Sequence, residues 1–132
     1  MNRLDQELAL VRTAFPAAEL DPHEGVNWVR IPAYPLPPGI YRQGGELELL
    51  AFRIPSQAGE APYGFWVHPG LELCSGEPLG NYTYPTATPW GESWGQFSWS
   101  PQGSWVPKAE IRSGANMLDF VRTFAVRLEE AS

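Results

Sequence analysis

The sequence predicts an α+β fold, an antiparallel β-meander flanked by an N-terminal and a C-terminal helix. Apolar residues recur at helical spacing near both ends of the chain. Between them lie short β-branched and aromatic runs broken by Gly and Pro. The 132 residues suit one domain spanning 1–132. With 43% hydrophobic and 13% aromatic residues, the chain holds enough apolar matter for a core of its own.

Leu4, Leu8, Val11 and Phe15 sit at helical spacing, Asn2 is placed to cap the first turn, and Pro16 stops the helix. Residues 21–25 read as a turn. Residues 26–31 are strand-like, and the Pro-rich run 32–39 should be extended without joining a ladder. Residues 40–42 and 46–54 flank Gln43-Gly44-Gly45 and read as a hairpin, with Leu47, Leu49 and Ala51 on one face and Glu48 and Leu50 on the other. Residues 55–64 read as loop and 65–68 as a short strand. Residues 71–94 are mostly Gly, Pro, Ser and Thr, which predicts a long, partly mobile flap. Met117, Phe120, Val121, Phe124, Ala125 and Leu128 form the apolar stripe of a second helix, capped by Asn116 with Asp119 three residues on. Arg122, Arg127 and Glu130 fall on its wet side. The sheet expected from this pattern has three or four strands.

Composition excludes several classes. Only 18% of residues are charged and the net charge is −6, so no basic face awaits a nucleic acid. Cys74 is the only cysteine, which rules out an internal disulfide and argues against a thiolate zinc cage. A cytoplasmic chain fits this usage best. No apolar run is long enough to span a membrane, and the polar, acidic N-terminus does not read as a signal peptide.

The stretch 94–107 packs Trp94, Phe97, Trp99 and Trp105 into a segment broken by Gly, Ser and Pro. Aromatic rings bury large areas, so this segment must be pinned to a core or kept for a partner. The expectation is a core Trp105, Trp99 packed under the C-terminal helix, and an exposed Trp90. A surface of Trp90, Trp94, Trp99 and Trp105 would also suit sugar stacking, the mark of a carbohydrate-binding module.

The order of short motifs resembles the ubiquitin-conjugating enzymes. Tyr41, Gly44-Gly45, Leu47, Leu49, Ala51, Ile54-Pro55, Ala61-Pro62, Phe65, His68-Pro69 and Trp105-Val106-Pro107 stand in that family's order. Residues 31–39, 65–71, Phe97-Ser98-Trp99 and the Trp-x-Pro step are similar to a divergent bacterial branch, prokaryotic ubiquitin-conjugating enzyme family E. The resemblance covers nearly the whole chain. It implies the family's fold and a transferase reaction, in which a ubiquitin-like modifier passes from an activating enzyme to a cysteine and then to a target amine. It implies three partners: an activating-enzyme-like protein, the modifier, and often a metal-dependent deconjugating peptidase. It implies no cofactor.

The chain departs from the family at its chemical centre. The family's cysteine lies a few residues before Trp-x-Pro, and residues 97–101 fill that place without one. The asparagine of the His-Pro-Asn motif, which helps stabilise the oxyanion, is Gly70. Four candidate site residues remain. Cys74 is the one thiol, although Glu72 and Glu77 would disfavour its thiolate if close. Ser98 and Ser100 stand where the family's ester forms, but serine needs a nearby base. The bland reading of each serine is a hydroxyl bonding the turn backbone. His68 would orient the active-site loop as the family's histidine does, or simply bond nearby backbone. Two functions follow: a conjugating-enzyme-like protein that carries or positions the modifier, or a catalytically inactive adaptor that binds the modifier or the activating enzyme.

Overall fold

The computed structural model describes residues 2–57, 59–101 and 103–130. Helix α1 (Arg3–Ala14) leads into strands β1 (Glu19–His23), β2 (Val26–Pro32), β3 (Leu49–Ile54) and β4 (Phe65–His68), then a hairpin of β5 (Tyr82–Thr88) and β6 (Gly91–Phe97), and helix α2 (Met117–Glu130). The fold is α+β. All strand pairs are antiparallel, in the order β1-β2-β3-β4-β6-β5. The sheet thus has six strands, where the sequence pattern predicted three or four. Residues 21–23, expected in a turn, belong to β1. Most of the expected flap is the β5–β6 hairpin, and only residues 71–81 remain a loop. A composition of Gly, Pro and Thr hid a strand pair in which Trp94 and Phe97 supply the buried positions.

Both helix starts form as the sequence predicts. The Asn2 side chain accepts from the Asp5 amide at 2.8 Å, and Asn116 accepts from the Asp119 amide at 2.9 Å. Helix α1 stops at Ala14, two residues before Pro16. The start of α2 has a further partner: the buried Glu7 carboxylate accepts from the Met117 amide at 3.0 Å, tying the two helices together.

The expected hairpin of 40–42 with 46–54 does not form. Leu36 donates to the Gly45 carbonyl and Leu47 to the Tyr34 carbonyl, so the Pro-rich run is the partner of 45–47. Residues 40–42 instead run against 72–74, with Arg42 donating to the Glu72 carbonyl and Cys74 to the Ile40 carbonyl. Gly44 and Gly45 both have positive φ, which lets the chain reverse there.

One face of the sheet carries the main core. Val29, Ile31, Leu50, Phe52, Phe65, Val67 and Phe97 pack against the α2 stripe. Phe124 is the hub: its ring stacks on Phe65 at 4.1 Å and meets Phe120 at 4.8 Å and Phe52 at 5.9 Å. Phe65 stacks in turn on Phe97 at 4.7 Å. The run 32–41 clamps α2 from outside, through Tyr34 Oη donating to the Val121 carbonyl and Tyr41 Oη to the Leu128 carbonyl, both at 2.8 Å. Arg127, expected on the wet side, is buried. Its guanidinium lies over the Phe97 ring at 4.9 Å and donates to the Gly80 carbonyl. The long stem packs like an apolar residue, and a backbone carbonyl meets its charged end.

Phe124→Ala should destabilise the protein by about 3–5 kcal/mol in chemical denaturation, because the hub ring leaves a cavity among fixed aromatics. A loss below about 1 kcal/mol would mean that the stripe does not face the sheet. Burial pushes the Tyr34 hydroxyl up to about 12 and also raises Tyr41. An unfolded tyrosine ionises near pH 10, so the folded chain holds the Tyr34 proton that the unfolded chain loses. Stability from this group is therefore intact below about pH 10 and declines as pH rises towards 12. Tyr34→Phe should flatten that decline by about 1.4 kcal/mol per pH unit. An unchanged alkaline slope would place the ring in water.

Candidate functional site

His68 ends β4 and turns its side chain to the face of the sheet away from α2. Its Nδ1 lies 3.7 Å from the Glu48 carboxylate, and its ring centroid is 5.2 Å from that of Trp94. The β4–β6 register pairs Phe65 with Phe97 and Val67 with Gly95, so His68 comes opposite Trp94. Ser98 is four residues beyond Trp94, just past the end of β6, about 13 Å along an extended chain. His68 is therefore not placed to take a proton from Ser98.

Ser98 is exposed, and its amide donates to the Asn81 carbonyl at 2.9 Å. Ser100 is exposed beyond it. Trp99 lies between them, with its carbonyl accepting from Gly64 at 2.7 Å and its indole donating to the Thr123 hydroxyl on α2 at 2.9 Å. The indole thus fixes this turn to the helix while both serines face water. Trp105 meets Phe120 edge-on at 6.4 Å and is only partly buried, where the sequence predicted a core position.

Cys74 is exposed on the run that pairs with 40–42. Its neighbour Glu72 is engaged by Arg42 at 3.0 Å. Among the described residues, no hydrogen bond or ion pair joins any two of His68, Cys74, Ser98 and Ser100. Gly70 has a local reason to be glycine. A Cβ there would come within 2.3–2.4 Å of two Tyr84 ring carbons. The ring of Tyr84, itself about half exposed, thus lies where a side chain at position 70 would begin. Tyr82 stands similarly over Gly95, where a Cβ would meet its hydroxyl at 1.9 Å. That hydroxyl accepts from the Leu71 amide at 2.8 Å and anchors the start of the 71–81 loop, and burial pushes its pKa up to about 12.

The sequence reading missed the other feature of this face. Trp28, Trp66 and Trp94 form a second buried cluster, with Trp90 packed against it. Trp28 meets Trp66 edge-on at 4.8 Å and Trp90 at 5.2 Å. The Arg53 guanidinium lies over Trp66 at 4.7 Å and Trp28 at 5.6 Å, and Arg30 lies over Trp90 at 5.3 Å. The Trp90 indole donates to the Asp21 carboxylate at 2.6 Å. Trp90 is in the β5–β6 turn and Asp21 on β1, at the other edge of the sheet. The hairpin tip therefore crosses the face and closes it without a helix. The signal in the sequence was the alternation of Trp28 with Val29 and of Trp66 with Phe65 and Val67, which gives each strand two apolar faces.

This arrangement corrects two expectations. Trp90 is partly buried, and the aromatic set Trp90, Trp94, Trp99 and Trp105 is split between opposite faces of the sheet. Trp94 keeps 3% of its surface, so no continuous platform of these rings is left for sugar stacking. Among the described residues, no helix is long and apolar enough to cross a membrane.

Comparison with protein-family models, with characterised proteins and with solved structures finds no match for this chain.

Trp90→Ala should open Trp28 and Trp94 to water. The expected result is a red-shifted tryptophan emission and a stability loss of about 2 kcal/mol. Unchanged emission and stability would show that the hairpin tip does not cover the cluster.

Proposed function

We propose that this chain is a ubiquitin-conjugating-enzyme-like protein that positions a ubiquitin-like modifier or its activating enzyme without joining the modifier covalently. The motif order supports the family, and the α+β fold with helices at both ends is compatible with it. The observation that carries the non-covalent reading is the Tyr84 ring against Gly70. It lies where the side chain of an oxyanion-stabilising amide would begin, the kind of preorganised donor that acyl transfer relies on. The separation of His68 from Ser98 supports the same reading, because it leaves that serine without this histidine as its base.

A second reading has an observation of its own. Cys74 is exposed, and a thiol needs less activation than a serine to accept an acyl group. In that reading the protein is a transferase that carries the modifier as a displaced thioester. A metal-dependent deconjugating peptidase would act in the same pathway under either reading.

The experiment combines the protein with a cognate activating enzyme, modifier and ATP, and measures intact mass and binding. The expected result is no covalent adduct, together with reversible binding of the modifier or the activating enzyme. A thiol-labile adduct lost in Cys74→Ala would overturn this in favour of the thioester. A thiol-resistant, base-labile adduct lost in Ser98→Ala or Ser100→Ala would overturn it in favour of an oxyester.

A further inference from the structure

A cavity lies on the side of the molecule where the two helices begin. Its volume is about 760 Å³, within the range that holds a small organic ligand. The start of α1, the loop after β3 and the Trp105-Val106-Pro107 segment enclose it. Its walls are mostly apolar, with Leu4, Ile54, Trp105, Val106 and Met117 among them. At its floor is Glu7, a carboxylate in a residue only 5% exposed. One Glu7 oxygen accepts from the Met117 amide at 3.0 Å and the other from Arg3 Nε at 3.3 Å. A carboxylate offers about four acceptor sites, so this one has capacity left in a low-dielectric setting.

The charges around the cavity select the ligand. Arg3 is committed, since its other nitrogens donate to the Lys108 and Ala115 carbonyls at 2.6 and 3.2 Å. The charges lining the cleft balance, Arg3 and Lys108 against Glu7 and Glu60, so an anion or a cation would each lose its hydration there without a net opposite charge to meet it. A neutral molecule avoids both costs. We propose that this cleft binds a neutral, mostly apolar organic molecule whose N–H or O–H donates to the Glu7 carboxylate. The inference does not depend on the modifier reading, because none of the candidate nucleophiles lines the cleft.

The test is a fluorescence titration with N-phenylnaphthylamine, a neutral aromatic amine with one N–H donor, run against anionic anilinonaphthalene sulfonate. The full chain should bind the neutral probe saturably, one molecule per chain, and the anionic probe at least about tenfold more weakly. Val106 and Val126 make a matched pair, because both are 51% exposed and only Val106 lines the cleft. Val106→Asp should weaken the neutral probe about tenfold, and Val126→Asp should leave its affinity unchanged. Glu7→Gln, which keeps an acceptor but loses the charge, should weaken it about fivefold. Circular dichroism of each variant separates loss of binding from loss of fold. Non-saturable binding, equal effects of the two valine changes, or tighter binding of the anionic probe would overturn the proposal.

Discussion

The structure depends on how one ring, Phe124, joins helix α2 to the sheet. It lies at the middle of the apolar stripe and reaches β3 through Phe52, β4 through Phe65 and the preceding helical turn through Phe120. Phe65 passes the contact on to Phe97 and thus to β6. Two hydroxyls from the segment 32–41 then fix the helix lengthwise, at Val121 and Leu128. The other polar links to α2, at Glu7, Trp99 and Arg127, have their geometry only when this stack has set the distance between helix and sheet. Burial of the stack supplies the non-directional driving force, and the hydrogen bonds select one arrangement of it.

The opposite face solves a different problem. A six-stranded sheet with a helix on one side has a second apolar face to protect. Here the chain covers that face with its own hairpin tip, through Trp90, and with the guanidiniums of Arg30 and Arg53. The ion pairs of Arg30 with Glu19 and Asp21 hold the β1 edge in the same assembly. His68 and Glu48 complete its margin. His68 thus lies at the edge of this tryptophan cluster, with its ring beside Trp94.

The helices were legible in the sequence because their signals are local: a side-chain cap, a 3.6-residue stripe and a terminating proline. Strands 26–31 and 65–68 were legible from their β-branched and aromatic runs. The hairpin 82–97 was not. Its Pro, Gly and Thr content mimics a loop, and its pairing with β4 is a long-range choice that no local pattern encodes. Arg127 misled for a related reason, since its acceptor is the Gly80 carbonyl, distant in sequence. Of the candidate site, the positions of Cys74, Ser98 and Ser100 on exposed segments could be guessed from their Gly/Ser/Pro surroundings. The face on which His68 lies could not, because it depends on the register between β4 and β6. The Tyr84 ring over Gly70 is likewise a contact between segments that only the folded chain brings together.

The central claim is that His68 belongs to the tryptophan face and not to a site shared with the serines. It is tested most directly by comparing the backbone amide and indole NMR signals of His68→Ala with those of the unchanged chain. The account predicts that the Trp94 indole and the Glu48 amide shift, and that Ser98 and Ser100 keep their positions. Movement of Ser98 or Ser100, while Trp94 stays fixed, would contradict it.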